Sequence, residues 1–126
     1  MYLTDSNVFL EIILGQAKEA KCKRFLEENT GALFISDFSL HSIGVILFRN
    51  GMEDKFQTFA EETVRNIEMV SLPQSGYVDL RAIRAEWGLD FDDAYQFAVA
   101  REFGQTIATI DRDFKKVASE VDVLFL

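Results

Sequence analysis

Cysteine, proline and histidine are almost missing from this chain of 126 residues, and cations are in the minority. A single cysteine, Cys22, excludes an internal disulfide, and without a CxxC pair there is no paired-thiolate metal site. Cys22 lies among mixed charges with no histidine beside it, which argues against a cysteine nucleophile. One proline and no Gly/Ser-rich or repetitive stretch leave no linker, so one domain over residues 1–126 is expected. No glycine-rich phosphate loop is present. The longest nearly apolar run, Phe38 to Phe48, has 11 residues and contains His41, well short of the roughly 20 that span a bilayer. "MYLTDSNVFLEIIL" has no basic start and meets Asp5 and Glu11 early, so neither a signal peptide nor a membrane partner is expected, and the expected location is cytoplasmic. Thirteen Lys and Arg against 21 Asp and Glu give a net charge of −8. A protein that binds nucleic acid mainly by neutralising phosphates usually has the opposite sign, so such a partner requires some acidic residues to be masked by cations.

Apolar residues are plentiful, at 48% with 12 Phe, enough for a real core. Their spacing predicts alternating elements. Strand-like runs are Tyr2–Thr4, Ala32–Ser36, Met69–Leu72, Thr106–Ile110 and the terminal "DVLFL". Helical patterns cover "SNVFLEIILG", Ala17–Glu28, Asp37–Arg49 behind a Ser36 cap, a stripe of Phe56, Phe59, Ala60, Thr63, Val64 and Ile67, a segment opened by Ser75, and Phe91–Phe103. Asp37–Arg49 is apolar nearly all round and is expected to be deeply buried, with His41 a core histidine bonded to a polar neighbour. The alternation favours an α/β fold, a parallel sheet covered by helices on both faces. Ligands of such sheets collect at the carboxyl ends of the strands.

Asp5 follows the first strand directly, Asp111 follows "TIATI" with Asp113 two residues on, and Asp93 opens the helix "FDDAYQFAVA". Each has an ordinary explanation. Asp90 and Asp93 have capping-box spacing, Asp5 before Asn7 fits an Asx-turn, and "DRDF" fits a surface turn. Their joint placement past strands points further. Carboxylates gathered in one place repel unless a cation lies among them, and hard ions such as Mg²⁺ and Mn²⁺ take oxygen ligands.

"YLTDSNVFLEIIL", "LDFDDAYQFAVA" and "TIATIDRDF" resemble three motifs of the PIN domain, whose most abundant members are the VapC-type toxins. The resemblance spans essentially the whole chain. It implies a three-layer α/β/α sandwich with a central, mainly parallel sheet and a Mg²⁺- or Mn²⁺-dependent ribonuclease activity. It implies that Asp5, Asp93 and Asp111 are catalytic acidic ligands, with Asp113 acting through a water or as a further ligand. It implies supporting roles for Asn7, for Ser36 and for the Thr109 hydroxyl. The family usually has a glutamate six residues after a Ser or Thr like Ser36; here Ser42 stands there, beside His41, and Asp37 or His41 is a candidate replacement.

A metal-dependent endoribonuclease, the toxin of a toxin–antitoxin pair, is therefore the leading expectation. It carries an RNA substrate, an antitoxin protein and a homodimer as implied partners; Val8, Phe9, Ile12 and Ile13 are either apolar surface for the last or simply core. Lys18, Lys21, Lys23, Arg24, Arg112, Lys115 and Lys116 are candidate phosphate contacts. The alternative is a PIN-fold module that binds RNA or protein without catalysis, favoured by Ser42 and the acidic charge. A phosphotransfer domain of the haloacid dehalogenase type also begins with an Asp after a strand, but it needs a second Asp where Asn7 stands.

Overall fold

Five short strands are threaded by six helices. β1 is Tyr2–Thr4, β2 Leu33–Ser36, β3 Glu68–Val70, β4 Thr106–Thr109 and β5 Val123–Phe125. Between them run α1 (Ser6–Ile13), α2 (Glu19–Glu28), α3 (Asp37–Arg49), α4 (Glu53–Asn66), α5 (Leu80–Trp87) and α6 (Phe91–Phe103). Single 3₁₀ stretches at Gln74–Asp79 and Arg112–Val117 complete the order. The computed structural model describes residues 1–126 except the side chain of Val64, so that member of the expected α4 stripe lies outside the described residues.

Strand order is β3-β2-β1-β4-β5, and all four pairings are parallel. The chain winds outward from β1 through β2 to β3, then returns to the other side of β1 for β4 and β5. A right-handed crossover that reverses direction must change faces. Hence α1 to α4 cover one face and α5, α6 and the second 3₁₀ stretch the other. Side chains alternate accordingly. Leu3 and Ile107 join the α5–α6 cluster, while Leu33 and Ala108 pack with Val8, Cys22 and Phe25. Ile35 packs with Phe9, Ile43 and Leu47.

The buried helix is α6, not α3. Ala94 through Ala100 are all buried, so α6 is enclosed by the sheet, α5 and the loop after β3. α3 buries only Ser39, Ile43 and Leu47, a single i, i+4, i+8 stripe, because it lies in an outer layer. Phe48 is 55% exposed and His41 is exposed, so the core-histidine expectation does not hold. Val8 and Phe9 are core residues, which removes them from any dimer surface.

Tyr95 ties three elements together. Its hydroxyl donates to Asp37 Oδ1 (2.6 Å) at the start of α3 and accepts from the Leu72 N–H (3.0 Å) after β3. Burial and the bond to Asp37 push the phenol's pKa up, keeping the donor protonated. Tyr95→Phe orphans the buried Leu72 N–H and loses one charge-assisted bond. We expect a loss of about 2 kcal/mol in urea unfolding with an unchanged m-value.

Candidate metal centre

β1 and β4 lie side by side in register, Thr4 opposite Ala108. The residues just past their carboxyl ends therefore meet at the point where the strand order reverses. Asp5 and Asp111 sit there. The Asp5 N–H donates to Ala108 O at 2.9 Å.

Asp5 caps α1. Its Oδ1 accepts from the Ser6 N–H (2.8 Å) and its Oδ2 from Thr109 Oγ1 (2.8 Å) and Asn7 Nδ2 (3.0 Å). Thr109 also accepts from the Asp111 N–H (2.9 Å), and Asn7 Oδ1 accepts from the Ile110 N–H (3.3 Å). Asn7 and Thr109 thus fasten the β1 and β4 ends to each other. Asp111 in turn caps the second 3₁₀ stretch, its Oδ1 accepting from the Asp113 N–H at 2.9 Å.

Asp93 arrives from the opposite direction. Asp90 caps α6 by accepting from the Asp93 N–H (3.0 Å), and Asp93 occupies the first helical turn. The capping reading of this segment holds for Asp90, yet it leaves the Asp93 carboxylate free. Asp93, Asp111 and Asp113 each place one carboxylate oxygen within 4.8 Å of the others. Asp5 stands outside that set. It is buried, lines the same cleft, and feels Asp111.

Electrostatics follow from the crowding. Burial first, then Asp90, Asp111, Asp5 and Asp113, push the Asp93 carboxyl up to about 7. Burial also raises Asp5 and Asp111 adds to this, against the hydrogen bonds from Thr109, Ser6 and Asn7 that lower it. Asp92 is raised by burial and by Asp90. No Lys or Arg lines the cleft, which has a volume of about 420 Å³. Three hard carboxylate oxygens with a surplus of negative charge form the donor set that suits Mg²⁺ or Mn²⁺.

The remaining expected residues divide. Ser36 is buried and committed: its Oγ accepts from the Ser39 N–H (3.0 Å) and donates to Gln96 Oε1 (2.6 Å). Asp37 is held by Tyr95 and lines a neighbouring groove rather than this cleft, so it is not brought into the acidic set. Ser42 and His41 do line the cleft. Gln96 was not among the expected residues. It is the one amide within the buried run of α6, one turn after Asp93, and that position was the signal available for it.

A family model described as PIN domain matches residues 2–120. The chain belongs to the PIN domain family. No curated protein matches it in sequence. Solved structures resemble this PIN domain over nearly its whole length. A toxin–antitoxin complex from Klebsiella pneumoniae has TM-score 0.75 at 21% identity, covering 98% of this chain and 96% of that one. VapBC2 from Rickettsia felis, bound to a DNA fragment from its promoter, has TM-score 0.76 at 14% identity, covering 99% and 98%. VapC20 of Mycobacterium tuberculosis, a toxin that cleaves the sarcin–ricin loop, has TM-score 0.76 at 16% identity, covering 96% of each. At such identities the likeness is one of fold, and the five-stranded parallel sheet of this PIN domain agrees with the expected sandwich. Among the described residues no helix is long and apolar enough to cross a membrane.

Proposed function

We propose that this PIN domain is a Mg²⁺- or Mn²⁺-dependent endoribonuclease that acts as the toxin of a toxin–antitoxin pair. The observation that carries the reading is the carboxylate triplet of Asp93, Asp111 and Asp113 at the carboxyl edge of the sheet. In this reading those three residues hold the ion, and Asp5, fixed by Thr109 and Asn7, orients the attacking water or joins the ligands. The ion, when bound, neutralises charge building on the phosphoryl oxygens and acidifies water. Arg112, Lys115 and Lys116 lie on the exposed face of the second 3₁₀ stretch after Asp111 and are offered as phosphate contacts, although the Lys116 ammonium donates to Gly88 O at 3.3 Å and the Arg112 guanidinium lies over the Phe125 ring. Lys18, Lys21, Lys23 and Arg24 lie on or beside α2, where the Lys18 ammonium is already engaged by Leu126 O at 2.7 Å. An antitoxin partner is supported by the two structural neighbours that are toxin–antitoxin complexes. Homodimer formation belongs to the same proposal.

Ser42 favours the second reading, a module that binds without cutting, since the site lacks the carboxylate the family usually places there. Calorimetry separates the two. We expect saturable Mn²⁺ binding by the wild type, absent in Asp111→Asn, together with RNA cleavage lost in the same variant. No heat from the wild type at millimolar Mn²⁺ favours the module. Equal cleavage by both proteins assigns the activity to a contaminant.

A further inference from the structure

The acidic cleft is lined by no Lys or Arg: the exposed Arg112, Lys115 and Lys116 follow Asp111 in the chain but lie outside the lining, and the α3 wall presents Phe38, Val45 and Ile46 with Ser42 and His41. Gln96 lines the same cleft from α6 and is 2% exposed. Its amide is half satisfied. Ser36 Oγ accepts from the Ser39 N–H, so the hydroxyl proton goes to Gln96 Oε1. The –NH₂ group is turned away from that bond, and Gln96 Nε2 has no partner. A buried N–H without an acceptor costs about 1–3 kcal/mol. Such a group in a ligand cleft is a donor waiting for an acceptor.

We propose that the α3 side of the cleft is a nucleobase pocket, in which Gln96 Nε2 donates to a carbonyl on the base edge. The inference rests on the ribonuclease reading and names the part of the substrate that this wall receives. A flat, neutral base with an acceptor edge suits apolar walls and one recessed amide donor. A phosphate does not suit this wall. Asp90, Asp92 and Asp93 all line the cleft, and a phosphate there is repelled by them. Ser42 in place of the family's glutamate leaves this wall uncharged, which a neutral base tolerates. The strand then lies with its backbone toward Arg112, Lys115 and Lys116 and one base toward α3. Gln96 is a specificity-determining residue in this arrangement: its carbonyl oxygen is engaged by Ser36 and its free donor, Nε2, cannot ligate a cation.

The test follows the Gln96 side-chain amide by ¹⁵N NMR, in EDTA, during titration with the four nucleoside 5′-monophosphates and with ribose 5-phosphate. We expect the amide resonance to move with nucleotides whose bases carry a carbonyl and to stay in place with ribose 5-phosphate. No movement with any nucleotide overturns the pocket. Equal movement with ribose 5-phosphate assigns the donor to phosphate and overturns it as well. In cleavage assays Gln96→Leu raises KM about tenfold with little change in kcat and flattens the preference for the base at the cut. An unchanged KM in Gln96→Leu refutes the proposal. The metal-free titration stands whether or not the wild type cleaves RNA, and Mn²⁺ binding by Gln96→Leu remains that of the wild type, so failure of the ribonuclease reading and failure of the pocket are distinguishable.

Discussion

In EDTA at pH 8, Asp93→Asn unfolds about 4 °C above the wild type, and saturating Mn²⁺ reverses the order. The carboxyl of Asp93 is pushed up to about 7 from its ordinary 3.8 by burial and by four neighbouring aspartates. A group that binds its proton more tightly when folded stabilises the fold less as pH rises. Below pH 3.8 both states are protonated and nothing is lost. Between 3.8 and 7 the unfolded chain ionises first, and stability falls. Above 7 the penalty is complete. Asparagine removes it at pH 8 and makes no difference near pH 3.5. After allowance for solvent screening and for the lost interaction with the N-terminus of α6, the gain is on the order of 1 kcal/mol. In a chain of this size that is about 4 °C. A ligand at a hundred times its Kd adds about 2.7 kcal/mol, and only the wild type receives it. Scanning calorimetry at the two pH values, with EDTA and with Mn²⁺, measures all four quantities. A variant that melts below the wild type at pH 8 in EDTA shows that the carboxylates are not in conflict.

Thr109→Val destabilises the protein by roughly 3 kcal/mol, although valine has the same shape and the residue is wholly buried. The hydroxyl donates to Asp5 and accepts from the Asp111 N–H and from Asn7. Valine leaves the buried Asp5 carboxylate short of a donor and the half-buried Asp111 N–H short of an acceptor, each worth about 1–3 kcal/mol. The Asp5 carboxyl also rises further, since the Thr109 bond is the strongest influence lowering it. Thr4 is the internal control. It is equally buried, but its Oγ1 has no partner. Thr4→Val is neutral or stabilising by up to about 1 kcal/mol. Urea midpoints for the two variants decide the matter. Equal midpoints remove the Asp5–Thr109–Asp111 chain from the energetics of the site.

Much of this is legible in the sequence. Asp90 and Gly104 bound α6 because a capping carboxylate and a left-handed glycine are strong local signals, and α6 runs from Phe91 to Phe103 as its spacing predicts. That Asp5 and Asp111 come together is legible because the residues just past neighbouring strands of a parallel sheet meet at one edge. Burial was less legible. A run such as "SLHSIGVILF" states that its residues are apolar, not how many neighbours the topology supplies. α3 is an outer helix, so His41 and Phe48 face outward. Asp37 looked available because its partner, Tyr95, lies 58 residues away. Gln96 lay concealed in a buried run, since its meaning depends on Ser36, 60 residues earlier.

Seven consecutive enclosed residues follow the backbone that carries Asp93, whereas Asp113 rides on an exposed turn. One jaw of the acidic set is therefore rigid before any ion arrives, its conformational entropy already lost when the chain folds. The other jaw, Asp113, is exposed to solvent, so less of its side-chain freedom is lost before the ion arrives. A cation that demands strict geometry and one that tolerates distortion meet the same fixed anchor, and the difference between them falls on the turn after β4.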